Sequence, residues 1–287
     1  MKKIMPNLSL RNLLLISISL SMIIIISILS YFIYSNMSAE IILQEEEKLS
    51  GIATTMETKL DDLLEEAEIA VKLVAKNTAV QRAFADRDRE LLKEMLLESY
   101  QDISEQMAQF HFHLPDSTSF LRLHNPEKYG DDLSSFRFTV NQANEEQEVV
   151  SGIEEGRGGY GLRVVSPVEY QGEHLGTLEF GSSLGAGYLG EIKEDFEGDY
   201  YLYSLADSEN ISWEEDSNNW IASTADSDPY QVENELIARV KSGETVIENR
   251  GSSNLLLMPF ENYRGEVSGY FKAVYDRSQI VNRLNAL

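Results

Sequence analysis

Between Phe110 and Arg137 the chain reads FHFHLPDSTSFLRLHNPEKYGDDLSSFR, with three His, two Arg, two adjacent Asp and four Phe in one short stretch. A strand has period two, so Phe120, Arg122 and His124 fall on one face, and Leu121 and Leu123 on the other. A buried cation needs a partner, because leaving it unpaired costs several kcal/mol. Arg122 and Arg137, with Arg163 on a later strand, present planar forks of donors that match a carboxylate. Such a set could hold a small organic acid or the carboxylate of an amino acid. Asp131, Asp132, Glu154 and Glu179 could instead neutralise the same arginines from within. Glu179, in the alternating run TLEFG, reads as a counter-ion more readily than as a group for a cationic ligand. Phe110 and Tyr160 are expected as apolar pocket walls, and the Asp131–Asp132 pair as a helix cap.

His111 and His113 are two apart and would share a strand face. An H-x-H pair can ligate a metal, and His124 and Glu179 could complete a site, but so short a spacing is weak evidence. No metal or other cofactor is therefore expected. A metal-dependent hydrolase is the disfavoured enzymatic reading, since the chain has no G-x-S-x-G, H-E-x-x-H or P-loop. The glycine run GRGGYG lacks a P-loop lysine and reads as a tight turn. Asn210-Ile211-Ser212 matches a glycosylation acceptor without further support. The absence of Cys excludes disulfides and thiol chemistry. A net charge of −24 without a basic patch argues against nucleic acid as a partner.

These residues must be positioned by a chain of 287 residues, room for about two domains. Leu13 to Tyr34 is uncharged and apolar apart from small serines. As a helix it spans ~33 Å, enough for a hydrocarbon core of ~30 Å. Lys2, Lys3 and Arg11 precede it, and Glu40 and Glu45 to Glu47 follow. The positive-inside rule puts residues 1–12 in the cytoplasm, 13–34 in the membrane and the rest outside. The run is longer than a signal peptide's apolar region and continues as helix, so a retained anchor is favoured over a cleaved leader. Residues 35–108 read as a stalk and a second long helix. Leu49, Ile52, Met56, Leu60, Leu63, Ala67, Ala70 and Val74 form a stripe close to a heptad seam. It either packs on the chain's own domain or joins two copies as a homodimer, the reading preferred here. Asn77 to Asp88 reads as a break, and Arg89 to Gln109 as the second helix.

The next stretch reads as strands at Gln109–His113 and Thr118–His124, a helix from Leu133 to Glu146, and strands at Val149–Glu154, Leu162–Tyr170 and Leu175–Gly181. This β–β–α–β–β–β order is that of a PAS-like fold. Residues 184–277 repeat its later part, a helix and then three strands, so two tandem modules are expected, 109–183 and 184–277, in an α+β protein with antiparallel sheets. Residues 278–287 begin a further helix.

The segments HFHLPDSTSFLRLHNPEKYGDDLSSFR and SGIEEGRGGYGLRVVSPVEYQGEHLGTLEFG closely resemble the membrane-distal part of bacterial double-Cache receptors. That group serves methyl-accepting chemotaxis proteins, sensor kinases and cyclic-di-GMP enzymes. The departures are small, Ile153 for Leu and Tyr129 for Phe. The resemblance carries only the His113 and His124 positions of the four histidine and glutamate groups named above as metal candidates. It implies an extracytoplasmic sensor without catalytic residues. The expected ligand residues are Phe110, His113, Arg122, His124, Arg137, Tyr160, Arg163 and Glu179. It also implies a second membrane helix and an output domain beyond residue 287. Chemotaxis is the first expectation for the intact receptor. A histidine kinase or cyclic-di-GMP enzyme is the second, and a dimer module that senses through a partner protein the third.

Overall fold

The computed structural model describes residues 9–105, 107–156, 159–205 and 220–285. Trp213, the Asn210 acceptor and part of the glycine turn lie outside them. The chain divides into two units, one holding the chain up to Gly51 with the segment from Arg277, the other Ile52–Asp276.

Helix α1, Leu10–Ala75, is one continuous element, long and apolar enough near its N-terminus to cross a membrane. In the first unit, Arg277 donates from Nε and Nη2 to the two carboxylate oxygens of Glu45, at 2.9 and 2.6 Å. In the second unit, Ile52, Met56, Leu60, Ala67 and Val71 of α1 are buried. Along this length the stripe therefore packs on the chain's own domain, at roughly 1.5–3 kcal/mol per large apolar side chain.

The expected break after α1 holds a short helix, α2 (Thr78–Ala85). Asn77 caps it, its Oδ1 accepting from the N–H groups of Ala79 and Val80. Asp88 then caps α3 (Arg89–Ile103) by accepting from Leu91 N–H. The stretch read as a break is thus bounded by two N-caps, with Phe84 of α2 fully buried between them.

The first sheet contains β1 (Gln109–His113), β2 (Ser119–Arg122), β3 (Val150–Gly156), β4 (Gly159–Tyr170) and β5 (Glu173–Ser183), with α4 (Phe138–Glu146) inserted before β3. The second unit continues with α5 (Ala186–Asp195), β6 (Asp199–Ser204), β7 (Ala222–Ser223), α6 (Asn234–Lys241), β8 (Val246–Asn249), β9 (Ser253–Glu261) and β10 (Val267–Asp276). A last helix, α7, covers Ser278–Asn285. The sheet orders are β2-β1-β5-β4-β3 and β7-β6-β10-β9-β8, with every pairing antiparallel. The second sheet therefore repeats the topology of the first strand for strand. Its edge strand β7 is only two residues long.

One face of the first sheet packs on α1, α2 and α3 through Phe110, Phe112, Leu121, Leu123, Val164, Leu178 and Phe180. The opposite face lies under α4, where Val140 and Ala143 meet Val150 and Val165. Hydrogen bonds tie the second module to the rest of the second unit, among them these. Tyr263 N–H donates to Ile153 C=O at 2.9 Å, where a Cβ on Gly152 would lie 2.7 Å from Tyr263 Cα. Tyr188 of α5 donates to the Met56 carbonyl of α1 at 2.7 Å.

Candidate ligand-binding site

Strand register decides which residues share the face beneath α4. His111 pairs with Glu179 and Arg122, Glu179 with Val165, Arg163 with Gly181 and Gly152, and Glu154 with Gly161. Alternation then puts His111, His113, Arg122, Glu154, Arg163, Thr177 and Glu179 on one face, all buried. Arg137 joins them from above as the residue that opens α4. The helix expected from Leu133 starts at Phe138 instead. Leu133 to Arg137 forms a turn in which Leu133 C=O accepts from Phe136 and Arg137 N–H, and the Arg137 side chain reaches the sheet. Asp132 caps that turn by accepting from Ser134 N–H.

The arginines differ in how they are matched. Arg122 forks onto both oxygens of Asp131 at 2.6 and 2.9 Å and also donates to Lys128 C=O. Asp131 is thus a counter-ion, and its hydrogen bonds from Arg122 hold its pKa below the usual value. Arg137 donates from Nε to Glu154 at 2.9 Å and from Nη2 to Glu179 at 2.6 Å. Burial alone would lower the pKa of Arg137, but the charges of Glu179 and Glu154 outweigh it and raise it. Glu154 is further satisfied by Thr139 N–H and Oγ–H, both at 2.8 Å. Burial would raise the pKa of Glu179, yet Arg137, His113 and Arg163 draw it well below the usual range.

Arg163 is the exception. Its nearest carboxylate oxygen is Glu179 Oε1, 3.6 Å from Nη1, and buried Nε and Nη1 donate no hydrogen bond. Burial, and then the neighbouring charge of Arg137, push its pKa down to about 10. Two glycines make room for this guanidinium: a Cβ on Gly161 would lie 2.7 Å from Cζ, and one on Gly181 2.4 Å from Nη1. Glu179 Oε2 also lacks a hydrogen bond, with His113 Nε2 at 3.3 Å.

Three expected site residues, and Phe120 beside them, are placed differently. Phe110 lies on the opposite face, its ring 4.5 Å from that of Phe180, because the alternation that points His111 and His113 towards α4 points it away. Phe120 does not share a face with Arg122: it is the extra residue opposite Phe112 and His113, and its ring packs 5.2 Å from Phe84. Tyr160 also lies outside the cluster, its hydroxyl 3.1 Å from Ser204 Oγ and Ser268 C=O of the second module. His124 is exposed at the end of β2, and its Nδ1 accepts from Phe110 N–H at 3.4 Å. Ser119, Thr139 and Thr177 belong to the cluster without having been signalled. Their hydroxyls carry no pattern until the fold brings them to His111, Glu154 and His113.

The second module has a buried charge at the matching place, the central strand of its sheet. Lys272 of β10 donates to both oxygens of Asp228 and to Tyr230 C=O. Tyr203 also donates to Asp228, and the rings of Tyr201 and Tyr203 lie 5.4 and 6.0 Å from Nζ. The three N–H groups of Lys272 meet three acceptors, so this buried ammonium is fully satisfied. A cleft of about 520 Å³ lies between the modules, with Glu57, Asp61 and Glu261 in its lining; its acidic rim is unsuited to an anion.

Two antiparallel five-stranded sheets of the same strand order, behind one long helix, are the architecture of a double-Cache sensor. Residues 42–278 match the model for the double sensory domain of two-component sensor kinases, and the chain belongs to that family. Solved structures with this fold include the domain of a sensory box/GGDEF family protein from Vibrio parahaemolyticus, at 12% identity and TM-score 0.56, covering 82% of this chain and 97% of that one. The extracellular ligand-binding receptor from Desulfohalobium retbaense aligns at 13% identity and TM-score 0.53, over 79% of this chain and 40% of that one. The periplasmic domain of Vibrio cholerae LuxQ aligns at 15% identity and TM-score 0.50, over 79% and 99%. No curated protein sequence matches the chain.

Proposed function

We propose that this chain is the ligand-sensing extracytoplasmic region of a bacterial transmembrane receptor. In this reading the apolar part of α1 crosses the membrane with its N-terminus in the cytoplasm, and a small carboxylate-bearing solute binds the first module beneath α4. One observation carries the choice of module. The Lys272 cluster is fully paired, whereas in the first module Arg163 retains unpaired Nε and Nη1 donors. Buried unpaired donors are costly, and a carboxylate would satisfy them. Arg163 is thus the principal anchor, with Arg122 and Arg137 orienting the residues around it. The cluster is closed to solvent, so entry requires the 125–147 segment to lift.

Filling the site would shift the equilibrium between lifted and seated positions by the difference in affinity for the two. The first sheet packs on α1 through Val71 and Ala67, and Tyr188 grips α1 at Met56, so a displacement of the sheet is passed to that helix. For the intact receptor, chemotaxis is the preferred output, with a histidine kinase or cyclic-di-GMP enzyme as the alternative. A homodimer through the stalk belongs to the same reading, and its seam would use residues still exposed on α1, such as Ile42, Leu43, Ile69 and Leu73.

The test is a thermal-shift screen of the full chain in detergent against organic acids and amino acids. A carboxylate at a hundredfold excess over its dissociation constant is expected to stabilise by ~2.7 kcal/mol, and Arg163→Met to abolish the shift while remaining folded. A carboxylate hit that survives Arg163→Met refutes the assignment of the anchor. A screen without any carboxylate hit refutes the ligand class.

A further inference from the structure

The two histidines of β1 and the central carboxylate of β5 form a group that the carboxylate reading does not use. His111 Nδ1 and His113 Nε2 lie 2.9 Å apart. Glu179 Oε2, which lacks a hydrogen bond, is 3.3 Å from His113 Nε2. These three ligand atoms all fall within 4.8 Å of one another. The far side of each ring meets a hydroxyl: His111 Nε2 lies 2.7 Å from Ser119 Oγ, and His113 Nδ1 lies 3.1 Å from Thr177 Oγ1. The other oxygen of Glu179 is fixed by Arg137 at 2.6 Å.

We propose that the first module binds a divalent transition-metal ion, of the zinc class, through His111 Nδ1, His113 Nε2 and Glu179 Oε2. When each outer ring nitrogen donates its proton to the hydroxyl it faces, both inner nitrogens present lone pairs to the same point as the carboxylate oxygen. Without metal one of these nitrogens donates to the other at 2.9 Å, and a cation between them replaces that hydrogen bond with two metal bonds. Ligands about 2.0–2.1 Å from a tetrahedral zinc ion are roughly 3.3 Å apart, so small ring rotations suffice. Ser119, Thr177 and Arg137 then act as the outer partners that orient metal ligands. Nitrogen ligation selects zinc, nickel or copper over magnesium and calcium, which require oxygen.

The charge balance links the ion to the solute. Arg122, Arg137 and Arg163 are offset by Asp131, Glu154 and Glu179, so the ion adds two uncompensated positive charges. Three protein ligands leave a coordination position open, and an anionic solute there would reduce that excess. The metal site itself does not rest on the carboxylate reading.

The experiment uses the full chain in detergent, dialysed against chelator and titrated with ZnCl2, with MgCl2 as the control. Zinc is expected to bind one ion per chain and raise the melting temperature, and magnesium to do neither. His111→Leu and His113→Leu are each expected to lower zinc affinity by at least tenfold while melting cooperatively without metal. Arg163→Met leaves all three ligand atoms in place, so it must retain zinc even where it loses a carboxylate; the two readings therefore fail separately. No zinc binding by the wild-type chain overturns the proposal, as does unchanged affinity in both histidine variants. Should a variant unfold, cobalt(II) absorption of the wild-type chain decides: an intense low-coordinate visible spectrum supports the site, and the weak spectrum of the aquo ion overturns it.

Discussion

Replacing Arg163 with Met should make the ligand-free chain more stable. The guanidinium is buried at 5% exposure, two of its nitrogens donate to nothing, and its nearest carboxylate oxygen is 3.6 Å away. A pKa of about 10, against an ordinary arginine value of at least ~12.5, corresponds to a charge penalty of about 3 kcal/mol, at ~1.36 kcal/mol for each pKa unit. Met fills most of the same volume and needs no acceptor. Glu179 keeps Arg137 at 2.6 Å and so does not become an uncompensated charge. Allowing for the lost attraction to Glu179, a net gain of about 2 kcal/mol is expected, in line with replacements of poorly paired buried ions. At ~2–4 °C per kcal/mol for a domain of this size, the melting temperature should rise by about 4–8 °C.

The assay is thermal unfolding of the full chain followed by intrinsic fluorescence, with Lys272→Met measured alongside. Lys272 is the buried cation of the second sheet, on its central strand, but it is fully paired. Its removal strands Asp228 and should destabilise by about 3–5 kcal/mol. Each substitution deletes a buried cation from the interior of its sheet, and the two are expected to act in opposite directions. If Arg163→Met destabilises by more than ~1 kcal/mol, Arg163 is an ordinary structural ion-pair partner, and the reasoning that makes it the ligand anchor fails.

Three further outcomes follow from the same geometry. Gly181→Ala places a Cβ 2.4 Å from Arg163 Nη1; thermal melts should show it destabilising in the wild-type background and close to neutral alongside Arg163→Met, an interaction read from a double-mutant cycle. Glu154→Leu removes one of the two carboxylates on Arg137 and the acceptor for Thr139, and should lower stability by about 3 kcal/mol in denaturant unfolding, since Arg137 retains Glu179. Asp131 has a folded-state pKa below its unfolded one because Arg122 hydrogen-bonds it. Its contribution is therefore fully present above the ordinary aspartate pKa of ~3.9 and is lost as pH falls through the lower folded value. Melting temperatures between pH 6 and pH 3 should show a slope at the acid end that is shallower in Asp131→Asn.

Much of the architecture was legible because local patterns were strong. The uncharged run at 13–34, the strand–helix–strand order of the first module and its partial repeat in the second all rest on neighbouring residues. What escaped depended on contacts distant in sequence. Arg137 and Glu179 are 42 residues apart, and only the pairing of β1 with β5 reveals that Arg137 is already matched while Arg163 is not. Phe110 was assigned to the pocket because it stands beside the histidines, although neighbours on a strand point to opposite faces. Phe120 broke the alternation because one extra residue in β2 turns its ring towards Phe84. Helix α2 was hidden because Asn77 and Asp88, both turn formers, are also helix caps. The signal for the room around Arg163 was present in the sequence as Gly161 and Gly181, but it has meaning only once register places Gly181 opposite the arginine.

Hydrogen–deuterium exchange of the full chain, with and without a saturating mixture of organic acids and amino acids, distinguishes entry of a solute beneath α4 in the first module from entry at the second. Slowed exchange is expected in residues 133–142 and in β4 and β5, with residues 228–233 and β10 unchanged. Protection confined to the segment around Asp228 and Lys272, or no protection anywhere, would contradict entry beneath α4.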